Sequence, residues 1–223
     1  ARRRDRLDAL AAELRERYGR RVDVLACDVA DAEARAALPE ALAREPDVLV
    51  LCAGFGYVGP FLAQPAPEAT AMVRTNLEAV VGLCHALIPP MVARGRGSVL
   101  LVSSFAGRQP MPHFAVYAAT KAAVTSLAEA LHAELEGSGV TVTALCPGGV
   151  RTEFAAVAGA AGTEARMPAS IMIDADECAR AAVAGLEDGR RIVMPRRAVR
   201  LFSAFAAYAP RALWLPLCRR MMG

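Results

Sequence analysis

Ser103–Lys121 reads SSFAGRQPMPHFAVYAATK, and the fold is decided by how this stretch is read. The residues before it, Ser98-Val-Leu-Leu-Val102, form an apolar run that ends in two serines, as a strand buried in a parallel sheet does. A loop with Gly107, Pro110 and Pro112 follows, and then a helix carrying Tyr117 and Lys121. Side chains four apart share one helix face, so phenol and ammonium project side by side. A free tyrosine titrates near about 10, and a neighbouring cation favours its phenolate. The pair is therefore expected to exchange a proton with an alcohol or a carbonyl at neutral pH. Ser104, at the carboxyl end of the strand, is placed to hydrogen-bond the same oxygen.

Composition sharpens this reading. Among 26 Lys and Arg residues only Lys121 is a lysine, and Asn76 is the only asparagine. A lysine is a compact, tunable point charge, which arginine is not. Tyr-x-x-x-Lys alone recurs by chance on amphipathic helices. Its strand–loop–helix setting, the lone lysine and Ser104, thirteen positions before Tyr117, favour the functional reading. The stretch resembles the short-chain dehydrogenase/reductase family, whose serine, tyrosine and lysine have this spacing.

That resemblance implies an oxidoreductase that moves a hydride between a nicotinamide cofactor and a small-molecule carbonyl or alcohol. Tyr117 is then the acid in reduction and the base in oxidation, and Ser104 orients the substrate oxygen. Lys121 lowers the Tyr117 pKa and holds the nicotinamide ribose, and Asn76 holds a water that links Lys121 to solvent. Arg2 and Arg3 resemble the basic pair of NADP(H)-preferring members, where an acid marks NAD(H), so NADP(H) is favoured. Asp28 and Val29 resemble the pair at the adenine. Cys52-Ala53-Gly54 stands where the family has an asparagine-led motif, with Ala53 and Gly54 at the ribose and cysteine as a departure. Pro147-Gly148-Gly149-Val150-Arg151-Thr152 matches Pro-Gly-x-Val-x-Thr, so Pro147, Gly148, Val150 and Thr152 are expected beside the nicotinamide.

The rest of the chain supplies alternating elements. Helices are expected at 4–18 (with Leu7, Leu10, Ala11, Leu14 and Tyr18 on one side), after the N-cap Asp31, at 67–93 with a bend at Pro89-Pro90, at 113–136 and near 174–187. Strands are expected at 21–27, 48–53, 98–102, 140–146 and 191–194. This order points to an α/β fold, a doubly wound parallel sheet of Rossmann-like type. One domain over 1–223 with an apolar tail at 196–223 accounts for the length, since no repeat or linker divides it.

A net charge of +3 without a basic stripe argues against nucleic acid. Six cysteines without ligand spacing argue against a metal. Cys27, Cys52 and Cys146 each end an apolar run and are expected to be buried, which suits a reducing cytoplasm. The charged start is unlike a secretory leader, and no unbroken apolar run reaches the roughly 18 residues that span a bilayer. His85, His113 and His132 fit no triad or ligand spacing.

The family's glycine-rich turn is not found, and the match begins at Ala1-Arg2-Arg3, which resembles the tail of a second strand. The expectation is an N-terminally incomplete fold, short of a βαβ unit of about 30 residues, that on its own binds cofactor poorly. Residues 153–172, with Phe154, Val157, Met167 and Met172, resemble a mobile substrate lid whose apolar character suits a hydrophobic carbonyl compound. The tail is expected to pack on its own domain or on a sister subunit. Peripheral membrane contact, flanked by Arg196, Arg197, Arg219 and Arg220, is the sharper alternative. Pairing through the two long helices into a homodimer or homotetramer follows from the resemblance. The rival functions are a non-catalytic relative kept as a binding module, and a methyltransferase, which leaves Tyr117 and Lys121 unexplained.

Overall fold

The run Gly97–Val102 alternates its side chains across a strand, and in the computed structural model, which describes residues 1–160 and 170–222, it lies inside a parallel sheet. In chain order the elements are α1 (Arg4–Tyr18), α2 (Ala32–Ala36), α3 (Leu38–Ala41), β1 (Val48–Leu51), α4 (Ala66–Val73) and α5 (Ala79–Ala93). There follow β2 (Gly97–Val102), α6 (Ala115–Glu134), β3 (Val140–Leu145), β4 (Gly149–Arg151), α7 (Phe154–Val157) and β5 (Met172–Asp174). The chain then continues with α8 (Ala175–Glu187), β6 (Ile192–Val193), α9 (Arg197–Tyr208) and α10 (Arg211–Met222). The main sheet has the order β1-β2-β3-β6, all parallel.

Helices cover both faces of that sheet. Val99 and Leu101 of β2 pack with Val142 and Ala144 of β3 against Leu83, Leu87 and Met91 of α5 and Val124 and Ala128 of α6. The intervening Leu100 faces the other way and joins Leu145 to Cys178, Ala182 and Leu186 of α8. This two-sided burial explains why β2 reads as a continuous apolar run, while β3 interleaves Thr141 and Thr143. It places the fold in the α/β class, with a Rossmann-like parallel sheet.

Several boundaries hold and some expectations are corrected. Gly19 closes α1 in the left-handed region (φ 61°), and the Asp31 carboxylate caps α2 by accepting from Ala34 N–H. Pro39 lies near the start of α3, because a proline at the second helical position forfeits no intrahelical bond. Of the expected face of α1, Ala11 is buried and Leu7 and Leu14 are half-buried, while Leu10 and Tyr18 are exposed.

Residues 21–27 do not form a strand. A strand needs a hydrogen-bonded neighbour, and among the described residues the one main-chain bond of this stretch is Cys27 N–H to the Ala1 carbonyl, 2.9 Å. β1 is covered on one face alone, so Leu49 is buried while Val48 and Val50 are exposed. Cys52 is exposed, unlike Cys27 and Cys146. The second sheet, β4 paired with β5, was not expected from residues 149–174.

The long helix runs unbroken through Pro89 and Pro90, and its irregularity lies earlier, in a π-helical turn at Arg74–Glu78 that joins α4 to α5. By length and hydropathy the whole helix, Ala66–Ala93, would suffice to cross a membrane. Its burial against the sheet identifies it as the core helix.

Candidate active site

The two serines after β2 do different work. Ser103 turns inward, and its hydroxyl donates to the Lys121 carbonyl at 2.7 Å and meets the Thr125 hydroxyl at 2.6 Å. Ser104, in extended conformation, caps a short 3-10 turn (Phe105–Arg108) by accepting from Ala106 N–H at 3.1 Å. Gly107 in that turn lies so close to α6 that a Cβ there would stand 2.5 Å from the Lys121 carbonyl carbon. The serine end of β2 and the Tyr117–Lys121 turn of α6 are thus held by main-chain contact. Ser103, Thr125 and Gly107 were not singled out as functional. Their partners are main-chain atoms distant in sequence, and only the doubled serine hinted at them.

Tyr117 and Lys121 are both buried. The ammonium donates to the Val102 carbonyl at 2.8 Å and lies 5.8 Å from the centre of the Tyr117 ring. Phe114 stacks on that ring at 4.3 Å, and Phe154 tilts over it at 5.2 Å. The expected direction of the tyrosine shift is reversed. Burial pushes the phenol up to about 12, with the Ser104 hydroxyl pulling the other way. Burial likewise lowers the Lys121 ammonium to about 8. Desolvation disfavours the charged form of each group and is the largest cause of both shifts.

Asn76 sits in the π-helical turn and is fully buried. Its amide donates to the Phe55 carbonyl at 2.9 Å and to the Thr120 hydroxyl at 3.2 Å, and its oxygen accepts from Phe55 N–H at 3.0 Å. Both amide hydrogens have protein partners, so the side chain clamps the loop after β1. A Cβ on Gly54 would stand 3.0 Å from Asn76 Oδ1 and 3.3 Å from Lys121 Nζ. Bare backbone therefore meets the amine here, on the exposed side of the loop.

The strand ends bring Ala53 and Gly54, Ser103 and Ser104, and Pro147 and Gly148 to one edge of the sheet, where crevices of open α/β sheets bind ligands. Val150 lies in β4, while Thr152 is exposed and its hydroxyl accepts from Phe154 N–H, at the first residue of α7, at 3.2 Å. Arg2 reaches Asp28 at 3.5 Å, and Arg3 pairs with Glu153 at 3.0 Å, both in the open. Asp28 also accepts from Ala30 N–H, and the Val29 carbonyl accepts from Arg35, so both hold a turn. Of the apolar segment 153–172, Phe154 and Val157 lie in α7 and Met172 in β5, while Met167 lies outside the described residues. His132 Nδ1 lies 2.8 Å from the Val142 carbonyl, away from the site. No cluster of metal-ligating side chains occurs among the described residues.

A parallel α/β sheet with a serine, a tyrosine and a lysine gathered at its carboxyl edge defines a class of nucleotide-binding oxidoreductases, and comparison narrows the class. The short chain dehydrogenase family model matches residues 1–161, and the chain belongs to that family. It is 38% identical over 143 residues to the "Probable oxidoreductase EphD" of Mycobacterium tuberculosis, covering 61% of this chain and 24% of that protein. The chain thus spans about a quarter of the length of the first curated relatives it matches. Among solved structures, it superposes on a short-chain dehydrogenase from Sphingobium yanoikuyae in complex with NADPH with a TM-score of 0.82. That match has 32% identity and covers 93% of this chain and 81% of the other. A structure concerned with 7beta-hydroxysteroid dehydrogenase stereoselectivity gives a TM-score of 0.85 at 26% identity, covering 100% and 85%.

Proposed function

We propose that the chain is an NADP(H)-dependent oxidoreductase that interconverts a hydrophobic carbonyl compound and its alcohol. The observation that carries this reading is the burial of Tyr117 and Lys121 together, with Ser104 at the phenol. The nicotinamide cofactor, when bound, supplies or accepts the hydride. The residues present fit such a group. Gly54 offers bare backbone next to Lys121 Nζ, whose remaining hydrogens suit ribose hydroxyls. Ala53, Pro147 and Gly148 follow the ends of β1 and β3; Val150 and Thr152 are assigned to the nicotinamide, Asp28 and Val29 to the adenine, and Arg2 and Arg3 to a 2′-phosphate.

Tyr117 is the proton donor in reduction. A phenol held at about 12 is protonated at pH 7, as a general acid must be. Ser104 donates to the substrate oxygen and stabilises charge that develops on it. Lys121 lowers the cost of the phenolate as it forms, because its ammonium is one helical turn away in a site of low dielectric. Asn76 keeps the loop after β1 against Lys121, and proton return runs through the lysine. Phe114 and Phe154 exclude water around the phenol and make the pocket apolar.

Two wider readings accompany this one. An exposed apolar depression between α4 and α6, lined by Phe61, Val73, Leu77, Val116 and Ala119, suits pairing of two copies through the long helices. Six free cysteines suit a reducing compartment, the cytoplasm. The decisive experiment replaces Tyr117 by Phe. In the complete enzyme, turnover of NADPH against a panel of apolar ketones is expected to vanish while NADPH binding is nearly unchanged. Retention of more than about a tenth of the activity would remove the general-acid assignment, and absence of turnover from the unaltered protein with every ketone and aldehyde tried would favour a non-catalytic relative.

A further inference from the structure

The end of the chain has a charge pattern found nowhere else in it. After Asp188 come eight arginines and no aspartate or glutamate, although the whole sequence has 23 acidic residues to 26 basic ones. Two helices carry this tail. Each has one face on the domain: Val199, Ser203 and Ala206 of α9 are buried, as are Trp214 and Cys218 of α10. Trp214 Nε1–H donates to the Pro110 carbonyl at 2.9 Å, and Phe202 packs between Phe105 and Trp214. The tail therefore folds onto its own domain, against the loop that follows Ser104.

The opposite faces are apolar and uncovered. Leu201 (71% exposed), Phe205 and Tyr208 (90%) recur along α9 at helical spacing, and Leu213 (69%), Leu217 and Met221 recur along α10. Since both inner faces meet the same loop, both outer stripes point away from the domain. Arg197, Arg200, Arg219 and Arg220 are exposed, and none has a carboxylate within ion-pair distance among the described residues, while Arg211 donates to the Ala206 carbonyl at 3.0 Å. A second copy docked on this face by two-fold symmetry would bring the same unpaired arginines together. An anionic lipid surface offers phosphates to the guanidinium groups and hydrocarbon to the stripes.

We propose that α9 and α10 form an interfacial docking surface for a bilayer rich in anionic phospholipid. The leucines, Phe205 and Met221 enter the acyl boundary, Tyr208 sits at the headgroup level, and the arginines contact lipid phosphates. Docking in this way brings the loop after Ser104 close to the membrane. On the functional reading above, that delivers apolar carbonyl compounds from the lipid phase to Tyr117, but the docking itself does not depend on that chemistry.

Co-sedimentation of the whole chain tests it, using vesicles of phosphatidylcholine alone and of phosphatidylcholine with an equal part of phosphatidylglycerol. The chain is expected to pellet with the mixed vesicles and to remain in solution with the neutral ones. High salt is expected to release much of it, since the screening length drops from about 10 Å at 0.1 M to about 3 Å at 1 M. Phe205→Asp with Leu217→Asp is expected to weaken partition at least about tenfold. Both positions are exposed, and emission from the sole tryptophan, Trp214, checks that the fold survives. Arg219→Gln with Arg220→Gln leaves the apolar stripes intact and should weaken binding to the mixed vesicles alone. Failure to bind the mixed vesicles, or equal binding by the Phe205→Asp, Leu217→Asp variant, overturns the proposal. So does sedimentation velocity showing a dimer that the same variant dissociates while vesicles have no effect, which would assign the face to a second copy.

Discussion

Lys121 is held where burial and chemistry oppose each other. Its ammonium is surrounded by protein and donates to the Val102 carbonyl, and its pKa falls from 10.5 to about 8. Below about pH 8 the amine is protonated in both folded and unfolded chains, so the fold carries the whole cost of the buried charge. Between about 8 and 10.5 the unfolded chain binds the extra proton, and raising the pH therefore favours the fold. Lys121→Met, similar in shape and uncharged, is expected to raise the melting temperature at pH 7 while abolishing turnover. The gain has a ceiling of about 3 kcal/mol and should shrink across that pH window. Tyr117, held up to about 12, opposes stability above pH 10 in both proteins, so it cancels in the comparison. A methionine variant less stable than its parent at pH 7 would show that the lysine is a net support of the fold.

At the scale of elements, the contact between the Phe105–Arg108 turn and α6 decides whether Ser104 faces Tyr117. Gly107 packs on the Lys121 carbonyl, and a methyl group there would stand 2.5 Å from its carbon and 2.6 Å from its oxygen. Main-chain atoms cannot rotate aside, so Gly107→Ala should move the turn off the helix. A loss of about 1–3 kcal/mol is expected in urea unfolding, with kcat reduced more than KM; an unchanged kcat would mean that the turn does not position the serine. The same elements show what the sequence disclosed. Tyr117 and Lys121 were legible because helical spacing is local, and β2 because burial on both faces leaves an uninterrupted apolar run. The π-helical turn was not legible, since it accompanies a clamp between Asn76 and the main chain of Phe55, 21 positions away. Residues 21–27 have strand composition, but a strand also depends on a neighbour that local sequence does not supply. The tyrosine shift was misjudged because spacing reports the nearby cation and not the depth of burial.

Across the whole molecule, the start of α1 is tied to the segment after β4. Glu153 accepts from Arg6 at 2.7 Å and from Arg3 at 3.0 Å, and these two guanidinium groups, Arg6 foremost, hold its carboxyl below the usual range. Arg3 is also the side chain assigned to a cofactor 2′-phosphate, so phosphate and carboxylate compete for one guanidinium. All three side chains are exposed, which makes the competition weak and sensitive to salt. Glu153→Gln keeps the shape of the side chain and removes its charge. It is expected to tighten NADPH about two- to fivefold and to leave NADH unchanged, because NADH has no 2′-phosphate to gain the freed arginine. The difference should fade at high salt. Adding Arg3→Ala should abolish the gain, since the released partner would then be gone. An equal shift for both cofactors would place the effect in Thr152 and α7 next to it, and would detach Arg3 from the choice between NADPH and NADH.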